Sequence, residues 1–309
     1  MTKKILVATE KPFASEAISL MKGVINGKPD FKIELLEKYT EAAQLKAAVK
    51  DADALIIRSD LASKEIIEAA SQLKIIVRAG AGYDNIDLAA ATAHKVVAMN
   101  TPGQNANAVA ELAFGMMVYM ARNKFSGKSG SELMGKKLGL HAYGNVSRNV
   151  ARIAKGFGME VYAFARSVYA DKIEAEGVKA VKSVEELYST CHYVSLHIPA
   201  NEQTKKSINF DLLNRMPKGA VLVNTARKEV ICEESLKKIM AARSDFRYVS
   251  DIAPGCAADL EKDYADRVYF TPKKLGAQTE EANVNAGVAA VKQIVAFFEK
   301  GDVSFQVNK

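Results

Sequence analysis

Short β-branched runs alternate with helix-like segments along almost the whole chain, and that rhythm narrows the fold more than any other feature. Ile5–Ala8, Ile33–Leu36, Leu55–Arg58, Ile75–Arg78 and Val96–Met99 read as strands. Alanine-rich segments such as Thr40–Val49 and Ser63–Ala70 read as the helices between them. Strand–helix–strand repetition implies an α/β fold, a parallel sheet with helices on both faces. Thr40 before Glu41, and Ser63 before Glu65, supply the cap and the acid that a helix N-terminus favours.

The rhythm then breaks. Asn105–Asn123 reads as one long helix, with Val109, Leu112, Ala113, Met116, Met117 and Met120 on a buried face. The Gly/Ser/Lys-rich stretch Lys124–Gly135 reads as a connector. A second series follows: Leu138–His141, Val161–Phe164, Val194–His197, Val221–Asn224 and Tyr248–Asp251 as strands, then a long amphipathic helix over Thr279–Lys300. A chain of 309 residues has room for about two domains. Two parallel α/β units are therefore expected.

Composition removes several classes of function. Hydrophobic residues make up 49% of the chain, enough to fill real cores. Cys191, Cys232 and Cys256 lie far apart, and the histidines form no H-x-x-x-H pair. No disulfide framework and no metal site is expected, and the cysteine usage suits a reducing compartment. The N-terminal apolar run is too short for a secretory signal. The most apolar stretch, Ala108–Ala121, is short and broken by Glu111. A cytoplasmic protein without membrane contact is expected. The net charge is +7, but the lysines are scattered, with no basic run to mark a nucleic-acid partner. The charge suits either a solvated surface or attraction of a small anionic substrate.

In open α/β sheets ligands bind at the carboxyl ends of strands, so chemistry belongs just after each one. After Leu138–His141 comes Ala142-Tyr143-Gly144-Asn145-Val146-Ser147, where a G-x-G-x-x-G turn would seat a pyrophosphate against a helix N-terminus. Only the middle glycine, Gly144, is present; Ala142 and Ser147 replace the others with small residues. The next strand should end in an acid for the ribose 2′-hydroxyl of NAD, yet Ala165-Arg166-Ser167 follows Phe164. Arg166 and Ser167 are either plain surface residues or a site for the 2′-phosphate of NADP. Arg227, directly after Val221–Asn224, offers a planar fork suited to a carboxylate. Lys273 and Lys274 follow Pro272. In the first unit, Arg58 and the loop Ala79-Gly80-Ala81-Gly82 offer a guanidinium and backbone amides to an anion.

In chain order, ALIIRSD (54–60), VRAGAGYDNIDL (77–88), MNTPGQNANAVAELAFGM (99–116), GKKLGLHAYGNVSRNVARIAKGFGM (135–159), VSLHIPA (194–200), MPKGAVLVNTARKEVI (216–231) and TPKKLGAQTEEAN (271–283) resemble the D-isomer-specific 2-hydroxyacid dehydrogenases, and within them the 3-phosphoglycerate-oxidising branch. The resemblance covers essentially the whole chain. It implies two Rossmann-like parallel-sheet domains with a cleft between them: a flavodoxin-like substrate domain of 1–98 plus 278–309, and an inserted dinucleotide-binding domain of 99–277. It implies hydride transfer between a nicotinamide cofactor and a small phosphorylated 2-hydroxy or 2-keto acid. NAD is the family default, and Arg166 adds NADP. It places the substrate carboxylate on Arg227 and on Ala79, Gly80, Ala81 and Gly82, and the phosphate on Arg58 beside Ser59. It places the cofactor against Tyr143, Gly144, Asn145, Val146, His197, Ile198, Pro199, Thr204, Thr225, Ala226, Arg227 and Asp251. It also implies a homodimer through Asn105–Gly135.

The chain departs from the family at its centre. The family's general base is a histidine in a Pro-His-hydrophobic-Gly setting, partnered by a glutamate shortly after the strand that ends near Asp251. Here Pro272-Lys273-Lys274-Leu275-Gly276 is one residue longer. Counting from the proline puts Lys273 in the histidine's place; counting back from Gly276 puts Lys274 there. The glutamate's place falls near Cys256, and Asp259 and Glu261 are out of register. The two losses fit together. A carboxylate raises a histidine usefully, but it would lock the proton on a lysine, whose ordinary value is near 10.4. A like-charged neighbour pushes a lysine the other way. Either lysine can serve as acid/base or polarise the carbonyl electrostatically. Two rival readings stand beside this one: an NADPH-dependent glyoxylate/hydroxypyruvate reductase, and a non-catalytic dinucleotide-sensing protein. Nothing follows Lys309 to resemble the serine-sensing domains of longer family members, so feedback inhibition by serine through such a domain is not expected.

Overall fold

The computed structural model describes residues 2–166 and 168–308, so the Ser167 reading lies outside the described residues. The chain divides into two compact units, 1–105 with 278–309 and 106–277. The first crossing thus comes after Asn105, not after residue 98. The reason is local: β5 runs on to Asn100, and the Thr101 amide then bonds the Gly80 carbonyl at 2.9 Å, tying this stretch to the first unit.

The first unit is built on β1 (Lys3–Thr9), β2 (Phe31–Glu37), β3 (Ala54–Ile57), β4 (Ile75–Arg78) and β5 (Val97–Asn100). These form one parallel sheet in the order β2-β1-β3-β4-β5. Its helices are α1 (Ser15–Val24), α2 (Ala42–Ala48), α3 (Lys64–Ala69) and α4 (Leu88–Ala93). The inner strands are buried on both faces. Along β1, Ile5 and Val7 join one core layer while Leu6 and Ala8 join the other. Side-chain direction alternates along a strand, so a run buried on both sides reads as continuously apolar.

The second unit opens with α5 (Ala106–Ala121), then β6 (Lys137–His141), α6 (Asn145–Gly156), β7 (Glu160–Phe164), α7 (Ala170–Ala175), β8 (Lys179–Ala180), α8 (Val184–Thr190) and β9 (Tyr193–Leu196). It continues through α9 (Phe210–Asn214), β10 (Val221–Asn224), α10 (Glu233–Ala242), β11 (Arg247–Ser250), α11 (Ala257–Tyr264) and β12 (Val268–Phe270). Its seven parallel strands run β12-β11-β10-β9-β6-β7-β8. The order reverses direction at β6 and β9, the switch point where such sheets open a crevice for a ligand. β10 lies mid-sheet, with Val221 and Val223 in one core and Leu222 in the other.

The last helix, α12 (Glu280–Lys300), belongs to the first unit and lays Ala286, Ala290, Val291 and Ile294 on the same core layer as Ile5 and Val7. Its tail then closes the open edge of the sheet. Asn308 accepts from the Ala98 amide at 2.7 Å and donates to the Val96 carbonyl at 2.9 Å. Covering an edge strand this way removes a template for aggregation. Among the described residues no helix is long and apolar enough to cross a membrane, and no group of His, Cys, Asp and Glu is placed to hold a metal ion.

Candidate functional site

The second unit carries a cavity of about 800 Å³ beyond the carboxyl ends of β6, β7 and β9. Its floor is the turn between β6 and α6. Ala142 sits at φ +85°, the glycine-favouring region, where the first glycine of the dinucleotide turn would stand. The conformation has outlived the residue, at a cost on the order of 1–3 kcal/mol. Ser147, fully buried where the third glycine packs, points its hydroxyl back to the Ala142 carbonyl at 2.8 Å, so no polar atom is stranded. A Cβ added to Gly144 would project into open space beside the N-terminus of α6. The amides of that first turn, including those of Asn145 and Val146, have no side-chain cap from Gly144. An anion is their natural partner.

Above this floor the wall is basic and then imidazole-lined. Arg166 donates to Gln203 Oε1 at 3.0 Å, and Lys182 and Glu185 line the same cavity. Burial pushes the His197 imidazole down to about 3 and the His141 imidazole down to about 4. Both therefore stay neutral near pH 7. His141 Nδ1 lies 3.2 Å from the Tyr188 hydroxyl, whereas His197 Nε2 and Thr225 Oγ1 are buried without a partner. Of these last two residues, His197 lines the cavity. The Thr204 hydroxyl bonds the Pro199 carbonyl at 2.5 Å, so its side chain shapes the loop carrying Ile198 and Pro199. The Tyr143 ring is buried, its hydroxyl on Glu176 at 2.8 Å, which leaves its backbone to face the cavity. The uncapped amides at the start of α6 and a cavity of this volume fit a nicotinamide dinucleotide.

The residues after β10 and β11 form a second group of candidates. Asn224, almost fully buried, donates to the Arg227 carbonyl and accepts from the Ala226 amide, both at 3.0 Å, which sets the turn that presents Arg227. Asp251 is 1% exposed. Its Oδ1 accepts from the Leu275 amide at 2.7 Å and the Thr271 hydroxyl at 2.9 Å, and its Oδ2 accepts from the Gly276 amide at 2.8 Å. Asp251 thereby clamps both ends of the turn that carries Lys273 and Lys274, which are exposed. Near the place expected for the glutamate, Cys256 is buried, and burial pushes its thiol up, with Glu233 adding to the shift. The Glu233 carboxylate itself is bound to the Gly255 amide at 2.6 Å. Asp259 pairs with Lys237 at 2.8 Å.

The first unit gathers its candidates at the ends of β3 and β4. Buried Asp60 accepts from the Arg58 amide at 3.1 Å, the Glu10 amide at 2.7 Å and the Tyr39 hydroxyl at 2.8 Å, fixing the loop after β3. Ser59, beside it, is exposed. The Arg58 guanidinium lies 4.9 Å from the Phe13 ring, and its Nη1 donates to the Lys11 and Pro12 carbonyls. Gly80 has φ +150°, and a Cβ there would overlap the Arg78 guanidinium, so only glycine fits. Its amide bonds the Arg78 carbonyl at 2.9 Å, and Asn100 holds the Ala81 carbonyl at 2.6 Å. The anion-facing part of the loop narrows to Ala81 and Gly82. Asn224, Asp60, Asn100 and Arg78 were not singled out from the sequence; the one local signal was a polar residue ending or following an apolar strand.

Residues 109–272 match the family described as D-isomer specific 2-hydroxyacid dehydrogenase, NAD binding domain. The chain is 34% identical over 284 residues to a hydroxypyruvate reductase of Thermotoga maritima, covering 85% of this chain and 90% of that protein. It is 35% identical over 316 residues to a D-3-phosphoglycerate dehydrogenase of Methanocaldococcus jannaschii, covering 94% of this chain but only 56% of that protein. Among solved structures, the NAD+-bound 3-phosphoglycerate dehydrogenase of Entamoeba histolytica superposes with a TM-score of 0.89 at 43% identity, over 100% of this chain and 99% of that one. This chain belongs to the D-isomer-specific 2-hydroxyacid dehydrogenases, enzymes that work with a nicotinamide cofactor.

Proposed function

We propose that this chain interconverts 3-phosphoglycerate and 3-phosphohydroxypyruvate, the first step of serine biosynthesis. The observation that carries the reading is Arg58, a guanidinium built into the loop after β3 by Asp60, Phe13 and the carbonyls of Lys11 and Pro12. A cation fixed so closely suits a phosphate, which a plain hydroxypyruvate reductase has no need to grip.

The bound nicotinamide supplies or takes the hydride at C2 of the substrate. Arg227 holds the substrate carboxylate, together with the loop amides of Ala81 and Gly82, and Arg58 holds the phosphate. Lys273 or Lys274 holds the proton at the C2 oxygen. NAD is the proposed cofactor. Arg166, braced by Gln203 beside Lys182, supports use of NADP as well. A homodimer through Asn105–Gly135 is supported by the exposure of Phe125 at 67% and Met134 at 72%, large apolar side chains that a second copy would cover. A cytoplasmic location accords with the cysteine usage. The second reading, a hydroxypyruvate reductase, draws on the Thermotoga maritima relative.

Loss of the reduced-nicotinamide absorbance band on adding phosphohydroxypyruvate, measured with each cofactor, tests the proposal. Turnover with at least one cofactor is the expected outcome. Silence with both would overturn it.

A further inference from the structure

One side chain in contact with the Arg58 guanidinium comes from far along the chain. Arg58 Nη2 donates to Oδ1 of Asn283, in the first turn of α12. The other amide atom is already committed, since Asn283 Nδ2 donates to the Thr279 carbonyl at 2.7 Å. A side-chain amide has one acceptor end and one donor end. With the donor end on Thr279, the acceptor end must face the guanidinium. Thr279 is in turn fixed as the cap of α12, accepting from the Ala282 amide at 3.1 Å. Helix cap, amide and guanidinium thus form one chain of fixed orientations.

The residue type carries the inference. A helix's first turn favours acids, and Glu280 and Glu281 already stand there. An aspartate at 283 would bind the arginine more strongly, at the cost of setting a carboxylate oxygen against the Thr279 carbonyl in place of the Nδ2 donor. It would also be a built-in counterion competing with any anionic ligand. A neutral amide holds the guanidinium in place and leaves its charge intact.

We propose that Asn283 is a positioning residue that orients Arg58 for the substrate phosphate without neutralising it. The proposal rests on the reading of Arg58 as the phosphate grip, and its test separates the two. Steady-state reduction of phosphohydroxypyruvate and of hydroxypyruvate is compared for wild type, Arg58→Gln, Asn283→Ala and Asn283→Asp, with thermal midpoints alongside. Asn283→Ala should raise KM for the phosphorylated substrate by about tenfold, the loss of one bond to a charged group, with a much smaller change for hydroxypyruvate. Asn283→Asp should impair the phosphorylated substrate at least as severely as Asn283→Ala, because the guanidinium then carries a built-in counterion. A purely structural role for Asn283 predicts that both variants melt lower while the preference between the two substrates stays as in wild type. Normal selectivity in both Asn283 variants while Arg58→Gln loses it would overturn the positioning role alone. Equal effects of Arg58→Gln on the two substrates would overturn the phosphate grip, and the positioning role with it.

Discussion

Replacing Lys273 and Lys274 one at a time with methionine should leave one variant within about tenfold of wild-type turnover and lower the other by about 10²–10⁴, the usual contribution of a positioned acid or base. Methionine keeps much of the length and apolar stem of lysine while removing the amine. Both side chains are exposed on a turn whose backbone is clamped elsewhere, and denaturant unfolding of each variant separates an effect on turnover from one on folding. Arginine at the sensitive position then separates two roles. It keeps the charge but does not give up its proton in proteins. A lysine that only polarises the carbonyl would be largely rescued by arginine; one that transfers the proton would not. Turnover reduced less than tenfold in both methionine variants would remove the lysines from the mechanism.

The second large effect is expected at Asp251. Removing its carboxylate in Asp251→Ala strands the Thr271 hydroxyl and the amides of Leu275 and Gly276, around a side chain that is 1% exposed. Buried donors left without acceptors are costly, and bonds to a charged group are worth about 1.5–3 kcal/mol each before non-additivity. A destabilisation of about 2–4 kcal/mol is expected, together with loss of turnover as the lysine turn loses its anchor. Asp251→Asn should be nearly as harmful. One of its amide ends must present a donor to a backbone N–H or to the Thr271 hydroxyl. Denaturant unfolding and steady-state kinetics on the same preparations test this. A role limited to touching the cofactor predicts a raised cofactor KM with unchanged stability.

Much of this architecture was legible because each sheet is buried on both faces. The runs at 5–8, 55–58 and 75–78, and their counterparts in the second unit, show as apolar because both core layers demand it, whereas 33–36 lies on the edge strand β2, where Leu35 is exposed. β8 and β12, of two and three residues, are too short to display a period and went unread. β12 matters, since it leads into the lysine turn. The dinucleotide turn was legible from Gly144 and its small neighbours, but the positive φ at Ala142 was not, because alanine carries no sign of it. Asp251 could be placed at a strand end from the sequence. Which atoms its oxygens bind depends on a turn more than twenty residues away, and only the folded chain supplies that. Asn283 was invisible for the same reason: its partner, Arg58, is 225 residues distant.

In the proposed function, Arg58 is the group that tells a phosphorylated substrate from an unphosphorylated one. The most direct measurement is the ratio of kcat/KM for phosphohydroxypyruvate to that for hydroxypyruvate, in wild type and in Arg58→Glu. Reversing a charge against a bound phosphate costs several kcal/mol, so the ratio should fall by at least about 100-fold, chiefly through the phosphorylated substrate. A ratio that is the same in both proteins would contradict the account.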